Sequence, residues 1–328
     1  MHYSSRFFLY APIGVLLLIA AVVALWWYAA ERDLDRRLRA SNGHEIAPGV
    51  TLHYADKAVG GFLVELDAAM SDAALQARAR NGPLALTSQI LAMHSLIYAP
   101  HHQLFEAAGT QTLSWIGSDR AQHSLHFVPG AMRASAIEDK DGLDRFDLDI
   151  QQLKSAQFSA QRLQLHFRRD PLGNAIDFVL DGERVKLVPM LVSGLGDTIQ
   201  HFHADGKLSP ATPLNALLEG KTDWRAAVEN WRLNRGILTG QMQIAWAPVS
   251  AEGSMRITLD SARAPAGDLT LSVAGADKVA VPADPRLFSG RLAAALARAH
   301  ERSTTFVLGQ SAISLAPGQP FGSLDPLY

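Results

Sequence analysis

The sequence predicts a mostly β (α+β) protein, an N-terminal transmembrane helix followed by a large antiparallel-sheet domain with a few packing helices. Three observations predict it. Residues 7–30, FFLYAPIGVLLLIAAVVALWWYAA, carry no charge. From Pro48 onward the apolar residues recur with period two, the alternation of a strand with one buried face. Helix-opening signals are few and come late in the chain.

At about 1.5 Å per residue, the run from Phe7 to Ala30 is long enough to cross a hydrocarbon core of about 30 Å. A cleaved signal peptide would need a shorter apolar region and small residues at a cleavage site. Here the run ends in Leu25-Trp26-Trp27-Tyr28, whose rings suit a membrane interface. An uncleaved signal anchor is therefore expected, with the lipid bilayer as partner of residues 7–30. Pro12 lies early enough in the run to be tolerated. Charge leaves the orientation open. Arg6 alone precedes the helix, whereas Arg32, Arg36, Arg37 and Arg39 follow it, interleaved with Glu31, Asp33 and Asp35. A plain count puts the large domain in the cytoplasm, but long domains translocate largely regardless of charge. Residues 31–40, ERDLDRRLRA, continue the helix as a charged collar, expected to be a solvated helix end, with a polybasic lipid-binding segment as the alternative. Ser41-Asn42-Gly43 stops it.

Residues 1–40 thus form the anchor and collar, and 41–328 a β-rich domain, with a weak boundary near Val192–Asp197 that would divide it into lobes 41–192 and 193–328. That length can bury a substantial core. A net charge of −2 offers no basic excess to neutralise phosphates, so nucleic acid is not an expected partner. The absence of cysteine removes disulfides, thiolate metal sites and thiol nucleophiles.

Strands follow from the alternation. Leu125 and Phe127 alternate with Ser124 and His126, and Phe146, Leu148 and Ile150 with Asp147 and Asp149. Leu163, Leu165 and Phe167 form a third set, and Ile176, Phe178 and Leu180 a fourth. The pattern is cleanest at Met242, Ile244 and Trp246, then Met255, Ile257 and Leu259, then Leu269, Leu271 and Val273. Asp141-Gly142, Asp181-Gly182 and Asp205-Gly206 read as hairpin turns, with Glu252-Gly253 a weaker one. Thr212-Pro213 opens a helix that Gly220 closes. A second is expected from Thr222 to Arg235, with Trp224, Ala227, Val228 and Trp231 on one face. Asp284-Pro285 begins a third, which carries Leu287, Phe288, Leu292, Ala295 and Leu296 towards the core. The alanine-rich stretch 67–80 stays open between helix and loop.

No catalytic, cofactor or metal residue is predicted, and no cofactor. His201 and His203 point the same way on a strand beside Asp205, but no third ligand accompanies them and a solvated strand end is the expectation. The rings of His101 and His102 point apart on an extended chain. The acidic run Glu138–Asp149 would place Ile137 and Leu148 at the two ends of a calcium loop, which defeats that reading. Gly194-Leu195-Gly196 lacks the third glycine of a dinucleotide fingerprint.

The order of features resembles a bacterial family, domain of unknown function 2125: a membrane helix, Gly61-Phe62 opening a strand, Tyr98-Ala99-Pro100-His101-His102 closing another, then Trp224 and the paired strands at 237–274. The resemblance implies a single-pass protein of the Gram-negative inner membrane with its β-rich body in the periplasm, and it supplies no activity. Three functional classes follow. The first is a non-enzymatic cell-envelope scaffold or partner-binding domain, with an envelope protein as partner. The second is a lipid-binding or apolar-ligand protein that uses an open sheet face, and the third an unrecognised hydrolase. They differ in whether helices leave an apolar face of the sheet uncovered.

Overall fold

A computed structural model describes residues 5–61, 65–96, 98–117, 119–171, 173–280, 283–299, 303–309, 312–316, 320–323 and 326. Phe62 of the family motif lies outside them.

The apolar run and the collar form one continuous helix, α1 (Ser5–Ser41), of roughly 55 Å at 1.5 Å per residue. It is the one helix among the described residues long and apolar enough to cross a membrane, and none of its residues from Val15 to Ala30 is buried. Gly43, at φ 79°, turns the chain out of it.

Three short strands follow, β1 (His44–Ala47), β2 (Val50–His53) and β3 (Asp56–Gly60). β1 pairs with β2, and both β2 and β3 pair with β4 (Glu65–Arg78). The sheet then runs as an antiparallel meander through β5 (Pro83–Leu96) and β6 (Ala99–Ile116). Two strands, β7 (Gln122–Val128) and β8 (Ala131–Asp139), lie end to end along β6 and are joined by β9 (Gly142–Ser155). From there each strand pairs with the next. These are β10 (Phe158–Arg169), β11 (Ile176–Leu187), β12 (Thr198–Ser209), β13 (Ile237–Trp246), β14 (Val249–Leu259) and β15 (Pro265–Ala274), then β16 (Ser303–Gly309), β17 (Ala312–Ala316) and β18 (Pro320–Ser323). Val192–Asp197 lies in the connection between β11 and β12, and those strands pair directly from Ile176↔Leu208 to Lys186↔Thr198. The sheet therefore continues past this segment.

The predicted antiparallel strands are present, and the structure corrects several local expectations. Residues 67–80 lie in strand β4 and the turn after it. Alanine disfavours strands in general, but here Ala68 and Ala73 are almost fully buried beneath α1, where only a small side chain lets the helix approach. Of the four expected turns, Asp141-Gly142 connects β8 to β9, whereas Asp181-Gly182, Asp205-Gly206 and Glu252-Gly253 lie inside β11, β12 and β14. Gly206 faces Gly240 across the ladder, and a Cβ at 206 would sit 2.2 Å from the Thr239 carbonyl and 2.9 Å from the Phe178 ring. Close approach, not a turn, explains the glycine.

The collar also differs from a solvated helix end. Leu38 is buried against Leu52, Ala68, Met70 and Ala73, with Leu34 packed beside it. The Tyr54 hydroxyl donates to the Leu38 carbonyl at 2.7 Å, and Lys57 pairs with Asp35. Only the arginine face is solvated, where Arg36 and Arg37 meet Asp33.

The three late helices are shorter than expected. Thr212–Leu214 is a 3-10 turn leading into α2 (Asn215–Leu218). α3 (Trp224–Leu233) is capped by Asp223, whose carboxylate accepts from the Ala226 amide at 2.9 Å. α4 (Phe288–Ala299) begins after the Asp284-Pro285 signal, with Asp284 accepting from the Arg286 amide before the first turn.

Candidate functional site

The meander gives the sheet two chemically distinct faces, because period-two sequences are stacked in register strand after strand. One cross-strand row runs through Ala68, Met93, Phe105, Ala134, Leu148 and Leu165, each opposite the next. It continues through Leu180, Ala204, Met242, Gly253 and Leu271. A parallel row carries Phe146, Phe167 and Phe178, with the first two rings stacked at 5.5 Å. This apolar face spans the sheet from β4 to β15.

Helices rest on this face in separate places. α1 covers its start at β4. Near the middle strands, α2 and α3 close one edge around Ile176, Leu214, Ala227 and Trp231. α4 covers β13 to β16 through Leu292, Leu296 and the buried Val249, Leu271 and Phe306. A fourth cluster, around Phe127, Leu153 and Ala160, is made by the sheet itself. Phe105, Leu148, Leu165, Leu180, Phe146 and Phe178 belong to none of the four. All are half-buried except Leu180, which is 39% exposed. A stretch of apolar sheet several strands wide therefore lies open between α1 and α4.

Beneath α4 the face deepens into a cavity of about 300 Å³ lined by apolar side chains, including Met242, Ile244, Trp246, Leu271, Leu292 and Phe306. The Gly194-Leu195-Gly196 segment closes its rim. Leu195 lines the cavity, the Gly196 amide donates to the Ala247 carbonyl at 2.6 Å, and a Cβ at Gly194 would lie 2.5 Å from Ala293. Gly194 thus serves packing against α4, and Gly196 packing against the turn between β13 and β14.

The opposite face is polar and laced by cross-strand pairs. Asp67 meets His94 at 2.7 Å and Asp147 meets His166 at 2.7 Å. Arg162 donates to Asp149 at 2.7 Å, which lowers the Asp149 pKa against the opposing effect of burial. His203 sits between two carboxylates, with Nδ1 2.6 Å from Asp181 and Nε2 3.2 Å from Asp205. His201 stacks beside it at 6.3 Å. Both ring nitrogens of His203 are engaged as donors to carboxylates, so neither offers a lone pair to a metal. Among the described residues no group of three or more His, Asp or Glu side chains is arranged to hold one. The paired His101 and His102 lie at the start of β6, where His102 Nε2 is 3.0 Å from Ser135 Oγ. That serine lies within β8, whose backbone pairs with β6 on one side and β9 on the other. The acidic run Glu138–Asp149 forms the β8–β9 hairpin and strand.

The hydrogen bond to Asp181 raises the His203 pKa above 6.5, against burial and with help from Asp205. A raised histidine pKa stabilises the fold fully below its unfolded value, and the contribution is lost as pH rises through the folded pKa. His203→Gln is therefore expected to melt below the wild type by a difference worth about 1 kcal/mol below the ordinary histidine range, narrowing as pH rises above it. Thermal melts at several pH values check this, and a gap independent of pH would show that no imidazolium is held there.

No curated protein and no solved structure matches the chain. A family model matches residues 26–311, taking in the α1 arm that docks on β4, the whole open face and the strands beneath α4. The chain thus belongs to a family described as uncharacterized protein conserved in bacteria (DUF2125).

Proposed function

We propose that this chain is an uncleaved, single-pass protein of the bacterial inner membrane whose periplasmic β body holds acyl chains against the apolar face of its sheet, without catalysing a reaction on them. The observation that carries the reading is the open stretch from Phe105 to Leu180, flanked by α1 on one side and the cavity beneath α4 on the other. Half-buried apolar side chains that belong to none of the helix-covered clusters form surface that an apolar ligand can cover. A cavity of about 300 Å³ with an apolar lining suits a flexible hydrocarbon chain better than the side chains of a protein partner. The anchor points the same way, since a docked α1 ties the start of the face to the bilayer that would supply the lipid. A periplasmic body rests on the family resemblance and runs against a plain arginine count, which long domains override because they translocate largely regardless of charge. The histidine–carboxylate pairs lie on the polar face, away from the apolar surface, which favours binding over catalysis.

The test uses the full-length chain in nanodiscs doped with a phospholipid that carries a diazirine on its acyl chain. After irradiation, adducts are expected on peptides containing Leu148, Leu165 and Leu180 and on those lining the cavity, in addition to α1. Adducts confined to α1 would sink the acyl reading and leave a partner-binding scaffold. For orientation, an impermeant maleimide applied to intact cells should label an Arg80→Cys variant, because the chain has no native thiol. Labelling only after lysis would place the body in the cytoplasm.

A further inference from the structure

The anchor and the sheet are held in a fixed relation that sets the depth of one corner of the body. Trp27 belongs to the aromatic end of the apolar run, where such rings sit at headgroup level. Its indole Nε1 donates to the Glu65 carbonyl at 3.1 Å, so the first residue of β4 lies at that level too. From there α1 and β4 run side by side, with Leu34 and Leu38 packed over Ala68, Met70 and Ala73. Both elements therefore leave the membrane together.

β4 carries its neighbours to the same depth. Glu65 pairs with Leu96 at the end of β5, and Leu96 pairs with Ala99 at the start of β6. Adjacent strands are only about 5 Å apart, so Leu96 and Ala99 lie beside the Trp27 contact, at the two ends of the β5–β6 turn. Its sequence, Leu96-Ile97-Tyr98-Ala99-Pro100, is without charge. Tyr98 is 71% exposed, and on the adjoining polar face Leu104 is 45% exposed. An exposed tyrosine on a turn is ordinary by itself. At headgroup depth, with an uncharged turn around it, its amphipathic ring meets the environment that such rings favour.

We infer that Tyr98, on the turn after β5, is a second membrane contact, its ring inserted into the interface of the same bilayer that α1 spans. The body then stands on two points, α1 and this turn, and the β4–β6 end of the apolar face abuts the lipid. The inference rests on α1 spanning a bilayer and not on acyl binding by the sheet.

Full-length single-cysteine variants, labelled with the fluorophore NBD and reconstituted in phosphatidylethanolamine–phosphatidylglycerol vesicles, test it. Tyr98→Cys is compared with Leu18→Cys inside the apolar run and with Arg80→Cys at the far end of β4, about 40 Å away at roughly 3.3 Å per residue. The label at 98 is expected to lose most of its fluorescence to lipids spin-labelled on the headgroup. The label at 18 should be quenched by lipids spin-labelled deep in the acyl chain, and the label at 80 by neither. If position 98 behaves like position 80 while position 18 is quenched, the second contact is overturned and the anchor stands. An unquenched label at 18 removes the anchor, and the inference falls with it.

Discussion

Replacing Leu165 and Leu180 together by lysine is expected to abolish most acyl labelling of the sheet while leaving the protein folded. The two side chains oppose each other at the centre of the open stretch, on β10 and β11. Covering one such side chain contributes about 1.5–3 kcal/mol, and 1.4 kcal/mol is about tenfold in affinity. Loss of both, with two charges set on the path of a hydrocarbon chain, should lower adduct yield by about tenfold or more. Folding should tolerate the change, because both positions are already partly open to solvent. Ser254→Lys is the control, exposed on the polar face, opposite the apolar row. An L165K/L180K protein that melts like the wild type and still takes acyl adducts on β9 to β11 would falsify the acyl-holding role of this face.

Most of the residues on that face were legible in the sequence. Leu148, Leu165, Leu180, Phe146, Phe167, Phe178, Met242 and Leu271 all stand in the period-two runs, because burial of one strand face is a local pattern. What the pattern does not encode is which run lies beside which. The alignment of Leu148 with Leu165 and Leu180 exists only once three strands pair in one register. The position of the helices is equally non-local. The sequence shows an amphipathic α3 and α4, but the gap between them and α1 depends on where the sheet carries their partners.

The misread elements share a physical cause. Alanine at 68 and 73 has little strand preference of its own, and its place in β4 is decided by the leucines of α1, thirty or more residues earlier. Asp205-Gly206 has the chemistry of a turn, but Gly206 is required by the neighbouring Thr239 carbonyl and the Phe178 ring. His203 stood out for its neighbours at 201 and 205, both visible in sequence. Its closest partner, Asp181, comes from the adjacent strand, so what was expected to be a solvated strand end is half of an ion pair.

The arm from Glu31 to Ser41 leads to the second large effect. Leu38→Asp is expected to detach this arm from the sheet while the meander beyond β4 stays folded. Leu38 is 8% exposed and fills the centre of the contact between α1 and β2–β4. Removing its apolar side chain costs about 2–5 kcal/mol, and an unpaired carboxylate in the same place adds a desolvation penalty. The new charge would also lie one helical turn from Asp35, which already serves Lys57. Beside Leu34 and the Lys57–Asp35 pair, the arm keeps hydrogen bonds such as the Tyr54 hydroxyl to the Leu38 carbonyl and the Asn42 side chain to the Tyr54 backbone, each worth about 1 kcal/mol. Paired spin labels on Arg36→Cys and Arg80→Cys report the result, since the chain contributes no other thiol. In the otherwise native protein they should give one narrow distance distribution. With Leu38→Asp the distribution should broaden, and the Tyr98 label should lose its headgroup quenching, because the body would no longer be held at a fixed height. A narrow, unchanged distribution in the aspartate variant would mean that the arm is held by something other than the leucine contact, and the depth assigned to the β5–β6 turn would lose its basis.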